Sequence, residues 1–258
     1  MQVHLFAHPR PKVIVASHER SGTHFLMNSI ARCFGYYSIP WINFDSQSLA
    51  SNLYSPEALK EFFSQFHGKH VANIMKSHHP FPFLEPVMDQ LVPEFHFFYV
   101  YRDPRDVMVS LWIFLKQLSW REGPTPETIQ EFIRSQPEGN MMRYQRRQEP
   151  TMIHRWRTHV DSWTLGVPER FRGNITLVRF ADLRYRFEDV IRSISKVLGT
   201  PVSFERPLPQ DGSVLPAKGI VGAHREYFDA SDLALFNDVA GHTMERLGFS
   251  MEAMPLAS

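Results

Sequence analysis

Short runs of β-branched and aromatic residues alternate along this chain with longer stretches whose apolar positions recur at helical spacing. VIVAS (13–17) predicts a first strand, and a helix follows from about Thr23 to Cys33, with Phe25, Leu26, Ser29, Ile30 and Cys33 along one side and Gly35 as its stop. SPEALKEFFSQF (55–66) opens with a serine cap and a proline at the first helical position. HVANIM (70–75) and FHFFYVY (95–101) predict buried strands, and PRDVMVSLWIFLKQ (104–117) predicts a helix. NITLVRF (174–180) predicts another strand, EDVIRSISKVLG (188–199) an amphipathic helix closed by Gly199, and SDLALFNDVAGHTMERLG (231–248) the last helix. That rhythm belongs to βα units on a parallel sheet, so the expected fold is α/β, a single domain over 1–258 with about five strands flanked by helices. Residues 118–150, rich in Pro, Gly, Gln and Arg, read as a lid or mobile loop.

Composition narrows the class without naming a partner. The chain has 258 residues, 43% of them apolar, which is enough for a sizeable core. A formal charge of +1 gives no field that implies nucleic acid or an anionic membrane. The single cysteine, Cys33, excludes an internal disulfide framework and lies on an apolar helix face, where a buried thiol is the simpler reading than a nucleophile. The start MQVHLFAHPRPK lacks a signal-peptide apolar region, and no stretch approaches the ~20 apolar residues of a membrane span, so a soluble, cytoplasmic protein is expected.

Three clusters at predicted strand ends carry candidate chemistry. In ERSGTHF (19–25), Gly22 allows a close turn, the backbone N–H groups of 21–25 open a helix, and Arg20, Ser21 and Thr23 add donors. Such a stretch holds a phosphate or sulfate, or is an ordinary βα turn with a surface arginine. It is not a Walker A loop, because GxxxxGK[ST] is absent. In YVYRDPRDVMVSLW (99–112), Arg102 ends a strand and Ser110 lies two turns into the next helix, suiting a second anionic group. The alternative is an ion pair of Arg102 with Asp103 or Asp106. In MKSHHP (75–80), Lys76 and His78 offer a cation and a titratable imidazole two residues apart, or are plain loop residues. HGKH (67–70) has no further ligands spaced to complete a metal site.

Together these segments resemble the PAPS-dependent sulfotransferases of the soluble, cytosolic type, where PAPS is 3′-phosphoadenosine 5′-phosphosulfate. ERSGTHF resembles the family's PKSGTTW loop, YRDPRDVMVS its R-N-x-K-D-V-x-V-S segment, and MKSHHP its K-T-H-L-P segment. WRTHVDSW (156–163), LVRFADL (177–183) and AKGIVGAHREYF (217–228) are similar to W-x-x-H-V-x-x-W, L-F-Y-E-D-L and R-K-G-x-x-G-D-W-K-x-x-F. The order holds from about residue 12 to 230.

The resemblance implies a P-loop-like sulfotransferase architecture. It implies that Ser21, Gly22, Thr23, His24 and Phe25, with Arg20, cradle the 5′-phosphosulfate, with Phe25 in the place of an adenine-stacking tryptophan. Arg102, Ser110, Lys218 and Gly219 would bind the 3′-phosphate. His78 would be the general base on a hydroxyl acceptor, Lys76 and Arg20 would stabilise charge, PAP would be the nucleotide product, and no metal would be needed. Arg20 replaces the usual loop lysine, Ala217 an arginine, His224 a tryptophan and Phe180 a common tyrosine. The segment 199–217 lacks the family's adenine-side stretch, and REYFDASDLA (225–234) does not match its dimer motif, leaving the oligomeric state open. Trp41, Phe44, Phe81, Phe83, Trp112, Trp120, Met141 and Met142 suit an apolar or aromatic small-molecule acceptor, and core packing explains them equally well. The rival readings are a P-loop nucleotide phosphotransferase and a non-catalytic PAP- or PAPS-binding protein.

Overall fold

The computed structural model describes residues 11–36, 42–43, 55–65, 67, 74–118, 123–204 and 219–251. In chain order its elements are β1 (Lys12–Ala16), α1 (Thr23–Phe34), β2 (Ile42–Asn43), α2 (Pro56–Ser64), β3 (Ile74–Ser77), α3 (Phe81–Leu84), α4 (Met88–Leu91) and β4 (Phe95–Tyr101). There follow α5 (Pro104–Leu118), α6 (Ile129–Arg134), α7 (Met152–Thr164), α8 (Glu169–Arg172), β5 (Ile175–Arg179), α9 (Phe180–Tyr185), α10 (Phe187–Leu198) and α11 (Ala230–Arg246). Two compact units are distinguished: residues 1–101 with 163–211, and residues 102–162 with 212–258.

The first unit holds the whole sheet, five parallel strands in the order β2-β3-β1-β4-β5. Both faces are covered, which is why β1 and β4 read as near-continuous apolar runs. On one face Ile14, Ala16, Met75, Phe97 and Tyr99 pack against Leu59, Phe62 and Phe63 of α2, Phe81 and Leu84 of α3, and Trp163. The residues of opposite parity, Val13, Val15, Phe98 and Val100, are equally inaccessible, and α1 lies against β1 and β3 with α10 beside it. Each such side chain contributes about 1.5–3 kcal/mol on burial. Ser55 caps α2 by accepting the Ala58 N–H (3.0 Å), and left-handed Gly35 and Gly199 end α1 and α10, as their sequence signals predict.

In the second unit α5 packs on α6, α11 and a short turn at Ala223–Glu226. Asp161 of α7 accepts hydrogen bonds from Thr243 (2.9 Å) and Arg246 (2.7 Å) of α11.

Two expectations need correction. Outside 119–122, which lie beyond the described residues, the supposed lid at 118–150 is built in: α6 has a reciprocal Thr128–Glu131 capping box, and Ile129, Phe132, Ile133, Met141 and Tyr144 are buried. Polar residues between widely spaced apolar anchors hid that core from a composition reading. The strand expected at 70–75 runs from Ile74 to Ser77, so Lys76 belongs to β3 itself; residues 70–73 lie outside the described residues. The sequence pattern also missed α7, where Met152, Ile153, Trp156, Val160 and Trp163 form one buried stripe. Among the described residues no helix is long and apolar enough to cross a membrane.

Candidate active site

The register of the sheet builds the first part of the site. β1 and β3 are parallel neighbours with Ala16 opposite Ser77, so the chain leaves both strands side by side at their carboxyl ends. Ser17, the first residue past β1, donates its N–H to the Ser77 carbonyl (3.2 Å). Nδ1 of His78, the first residue past β3, lies 2.9 Å from the Ser17 carbonyl oxygen and 3.5 Å from the Ser17 hydroxyl. A carbonyl oxygen only accepts, so Nδ1 carries the proton and the lone pair of the neutral ring sits on Nε2. The contact fixes the orientation of the His78 ring.

The backbone behind His78 is anchored as firmly. His79 N–H donates to Ser77 Oγ (3.0 Å), and the Trp163 indole N–H donates to the His79 carbonyl (3.0 Å). Trp163 is 1% exposed, stacks on Tyr99 (5.2 Å, 13°) and meets Phe81 edge-on (5.5 Å). The Phe83 ring stands 5.0 Å from the His79 ring and is half-buried.

The loop between β1 and α1 has the shape of an anion cradle. Arg20 has φ 62°, the only positive value at a non-glycine among the described residues, a conformation that costs about 1 kcal/mol or more and persists where surroundings enforce it. Gly22 has φ 107°, and a Cβ there would lie 2.4 Å from Phe180 Cδ2, so this position requires glycine for both reasons. α1 starts at Thr23 with no side-chain cap on its N-terminus, leaving helix-end donors for a ligand. The Thr23 and Ser17 hydroxyls are 2.5 Å apart. The Ser21 hydroxyl is buried with no hydrogen-bond partner among the described residues, an arrangement that costs about 1–3 kcal/mol until an acceptor fills it. Burial first, and then the charges of Lys76 and Arg20, lower the His24 pKa from 6.5 to about 4. His24 is therefore neutral at pH 7 and reports two cations acting on one spot. Phe25 is half-buried, its ring 6.3 Å from both Phe180 and Phe187. An uncapped helix start, a buried unsatisfied hydroxyl and two cations fit a phosphosulfate group.

The second unit assembles a separate cluster at the start of α5. Arg102 is 6% exposed and donates to the Ile220 carbonyl (2.8 Å); burial lowers its pKa against the raising pull of Asp106 and Asp103. Asp103 receives a two-pronged contact from Arg105 (2.9 and 2.6 Å). Asp106 accepts the N–H groups of Gly222 (2.8 Å) and His224 (3.1 Å) and the His224 Nδ1–H (2.8 Å). Ser110 is half-buried on α5. Gly219 and Gly222 have φ 57° and 85°.

Arg20 to Phe25, Lys76 and His78 thus belong to one unit and Arg102, Ser110 and Gly219 to the other, while Lys218 lies outside the described residues. Sequence reasoning missed the roles of Ser17, Ser77 and Trp163 in fixing His78 and of Asp106 in holding 222–224; position directly after or at the end of a strand was the available signal for the first two. Of the proposed acceptor-wall residues, Phe81 and Met141 are core, Phe83, Trp112 and Met142 are half-buried, and Trp41, Phe44 and Trp120 lie outside the described residues.

A family profile for the sulfotransferase domain matches residues 10–211. No sequence among the curated proteins matches. Among solved structures the chain is similar to mouse sulfotransferase SULT7A1 complexed with PAP, at 17% identity and a TM-score of 0.58 over 90% of this chain and 84% of that one. It is similar to a retinol dehydratase in complex with retinol and PAP, at 17% identity and a TM-score of 0.56 over 90% and 81%. It is also similar to a sulfotransferase from Alicyclobacillus acidocaldarius, at 15% identity and a TM-score of 0.52 over 93% and 97%. These likenesses bear out the α/β fold with its parallel sheet, and a profile match over most of the length fixes the kinship: the chain belongs to the sulfotransferase domain family.

Proposed function

We propose that this protein, acting as one catalytic domain, transfers a sulfuryl group from PAPS to the hydroxyl of an apolar small molecule, with His78 as general base. The hydrogen bond from His78 Nδ1 to the Ser17 carbonyl (2.9 Å) carries the reading, because it leaves Nε2 as the proton acceptor. PAPS supplies the sulfuryl group and departs as PAP. The chain's own task is positioning and charge stabilisation, which suits a transfer that needs little covalent help from protein.

In this reading Ser21, Gly22, Thr23, His24 and Phe25 bind the 5′ end of the nucleotide. Arg20 and Lys76 stabilise the charge that grows there, and the charge of both reaches His24. A guanidinium in the place of the family's lysine stays protonated and serves as a fixed positive fork rather than a proton donor. Arg102, Ser110, Lys218 and Gly219 take the 3′-phosphate. The half-buried Phe83 ring, beside the residue that follows the base, supports an apolar acceptor, and retinol in the retinol dehydratase complex is an acceptor-sized alcohol of that kind.

Heat-protection measurements test the nucleotide assignment without knowledge of the acceptor. PAP at about 100 times its Kd adds about 2.7 kcal/mol to stability, a rise in Tm of about 5–10 °C for a protein of this size. ATP with magnesium is expected to give no comparable rise. Protection by ATP with magnesium and none by PAP would overturn the PAPS assignment and favour nucleotide phosphotransfer as the activity.

A further inference from the structure

We infer that Asp106 and His224 form a clasp that holds the turn at 219–224 in the shape needed to receive the 3′-phosphate, making both positioning residues for cofactor binding. The inference rests on the PAPS reading above and goes beyond its assigned contacts.

The turn is gripped by two side chains of opposite charge, Arg102 from the segment between β4 and α5 and Asp106 from the first turn of α5. Arg102 donates to the Ile220 carbonyl (2.8 Å), while the Asp106 carboxylate accepts the Gly222 N–H on one oxygen (2.8 Å) and the His224 N–H and Nδ1–H on the other (3.1 and 2.8 Å). Four hydrogen bonds therefore fix the six-residue turn 219–224, which contains two left-handed positions, Gly219 and Gly222. The Asp106 side chain is 1% exposed and that of His224 9%, so these bonds are made out of water, where charge-assisted contacts are strongest. Burial raises the Asp106 pKa, but its bonds to His224 and Gly222 and the charge of Arg102 outweigh that and hold the carboxyl below its usual range. Asp106 is thus an anion at neutral pH.

Sequence gives the clasp its purpose. Ala217 stands where the resembled pattern has an arginine, so the 3′-phosphate has lost one cationic partner, and His224 stands where that pattern has a tryptophan. The imidazole at 224 supplies the third bond to Asp106. With less charge available, affinity depends more on a backbone held in its receiving shape before the ligand arrives, since ordering it on binding would subtract from the interaction.

The test is calorimetric titration of PAP into the full-length protein and its His224→Ala, His224→Asn and Asp106→Asn variants, with steady-state kinetics in PAPS. Losing one hydrogen bond to a buried charge is expected to weaken PAP about tenfold in His224→Ala, and Asp106→Asn, which disturbs all three bonds, about a hundredfold. The asparagine amide nitrogen sits where Nδ1 does, so His224→Asn is expected to stay within about threefold of wild type. In His224→Ala the KM for PAPS should rise while kcat at saturation holds within about twofold, a split that general loss of structure would not give. Wild-type affinity in His224→Ala, or equal weakening in His224→Ala and His224→Asn with kcat falling alongside, overturns the clasp. No PAP binding by the wild-type protein overturns the nucleotide reading and takes the clasp with it.

Discussion

Replacing Gly22 by alanine probes the cradle where its geometry is most constrained. Two separate costs follow from the structure. At φ 107° the residue lies beyond the narrow left-handed region open to L side chains, and holding alanine there costs about 1–3 kcal/mol. The added Cβ would stand 2.4 Å from Cδ2 and 2.9 Å from Cε2 of Phe180, against roughly 3.5–4.0 Å for comfortable carbon contact. The ring must retreat by roughly 1 Å, yet it is 4% exposed and packed edge-on against Phe25. Overpacking of that kind costs about 1–3 kcal/mol. The sum is a destabilisation of about 2–6 kcal/mol, measured by urea unfolding. Phe180→Ala removes the clash but not the backbone strain, so the double variant should be less destabilised than the two singles added, by about 1–3 kcal/mol of coupling. A Gly22→Ala cost within about 0.5 kcal/mol of zero, or strict additivity in the cycle, would refute the close approach of Phe180 to this turn.

Three further outcomes are expected. Trp163→Phe keeps most of the aromatic packing but removes the hydrogen bond to the His79 carbonyl; a loss of about 0.5–1.5 kcal/mol in urea unfolding is expected, with reduced turnover. His24, with its pKa lowered to about 4 in the folded protein, stays neutral while the unfolded chain protonates near 6.5, so its contribution is present above pH 6.5 and is lost as pH falls towards 4. Linkage makes that loss about 2 kcal/mol between pH 7 and 5, and His24→Thr should flatten the stability profile by that amount, although His96, also lowered to about 4, keeps some slope. Arg20→Ala should lower turnover more than PAP affinity, because leaving-group charge grows in the transition state; an effect confined to affinity in titration would remove Arg20 from the chemistry.

The order of elements was legible in the sequence wherever local pattern and burial agree. β4 and the helices at α1, α5 and α10 fall within a residue or two of expectation because both the apolar period and the end signals point one way. Residues 123–150 and α7 were not legible, since their apolar anchors are spaced among arginines, histidines and glutamines and their burial depends on partners such as α5 and α11. At the site, Lys76 and His78 stood out as residue types after a strand. Their relation to Ser17 did not, because it arises from the pairing of Ala16 with Ser77, and register is a tertiary fact. His224 was visible only as a departure from a pattern; its bond to Asp106 spans 118 residues and arises from the tertiary fold.

The proposed sulfuryl transfer from PAPS, with His78 as general base, is tested most directly by incubating wild-type protein and His78→Ala with labelled PAPS and a library of hydroxyl compounds. The wild-type protein should place label on an apolar alcohol or phenol, and His78→Ala should do so about 10²–10⁴-fold more slowly while binding PAP as tightly. Label transfer at an unchanged rate in the variant, or none to any compound by the wild-type protein, would contradict the account.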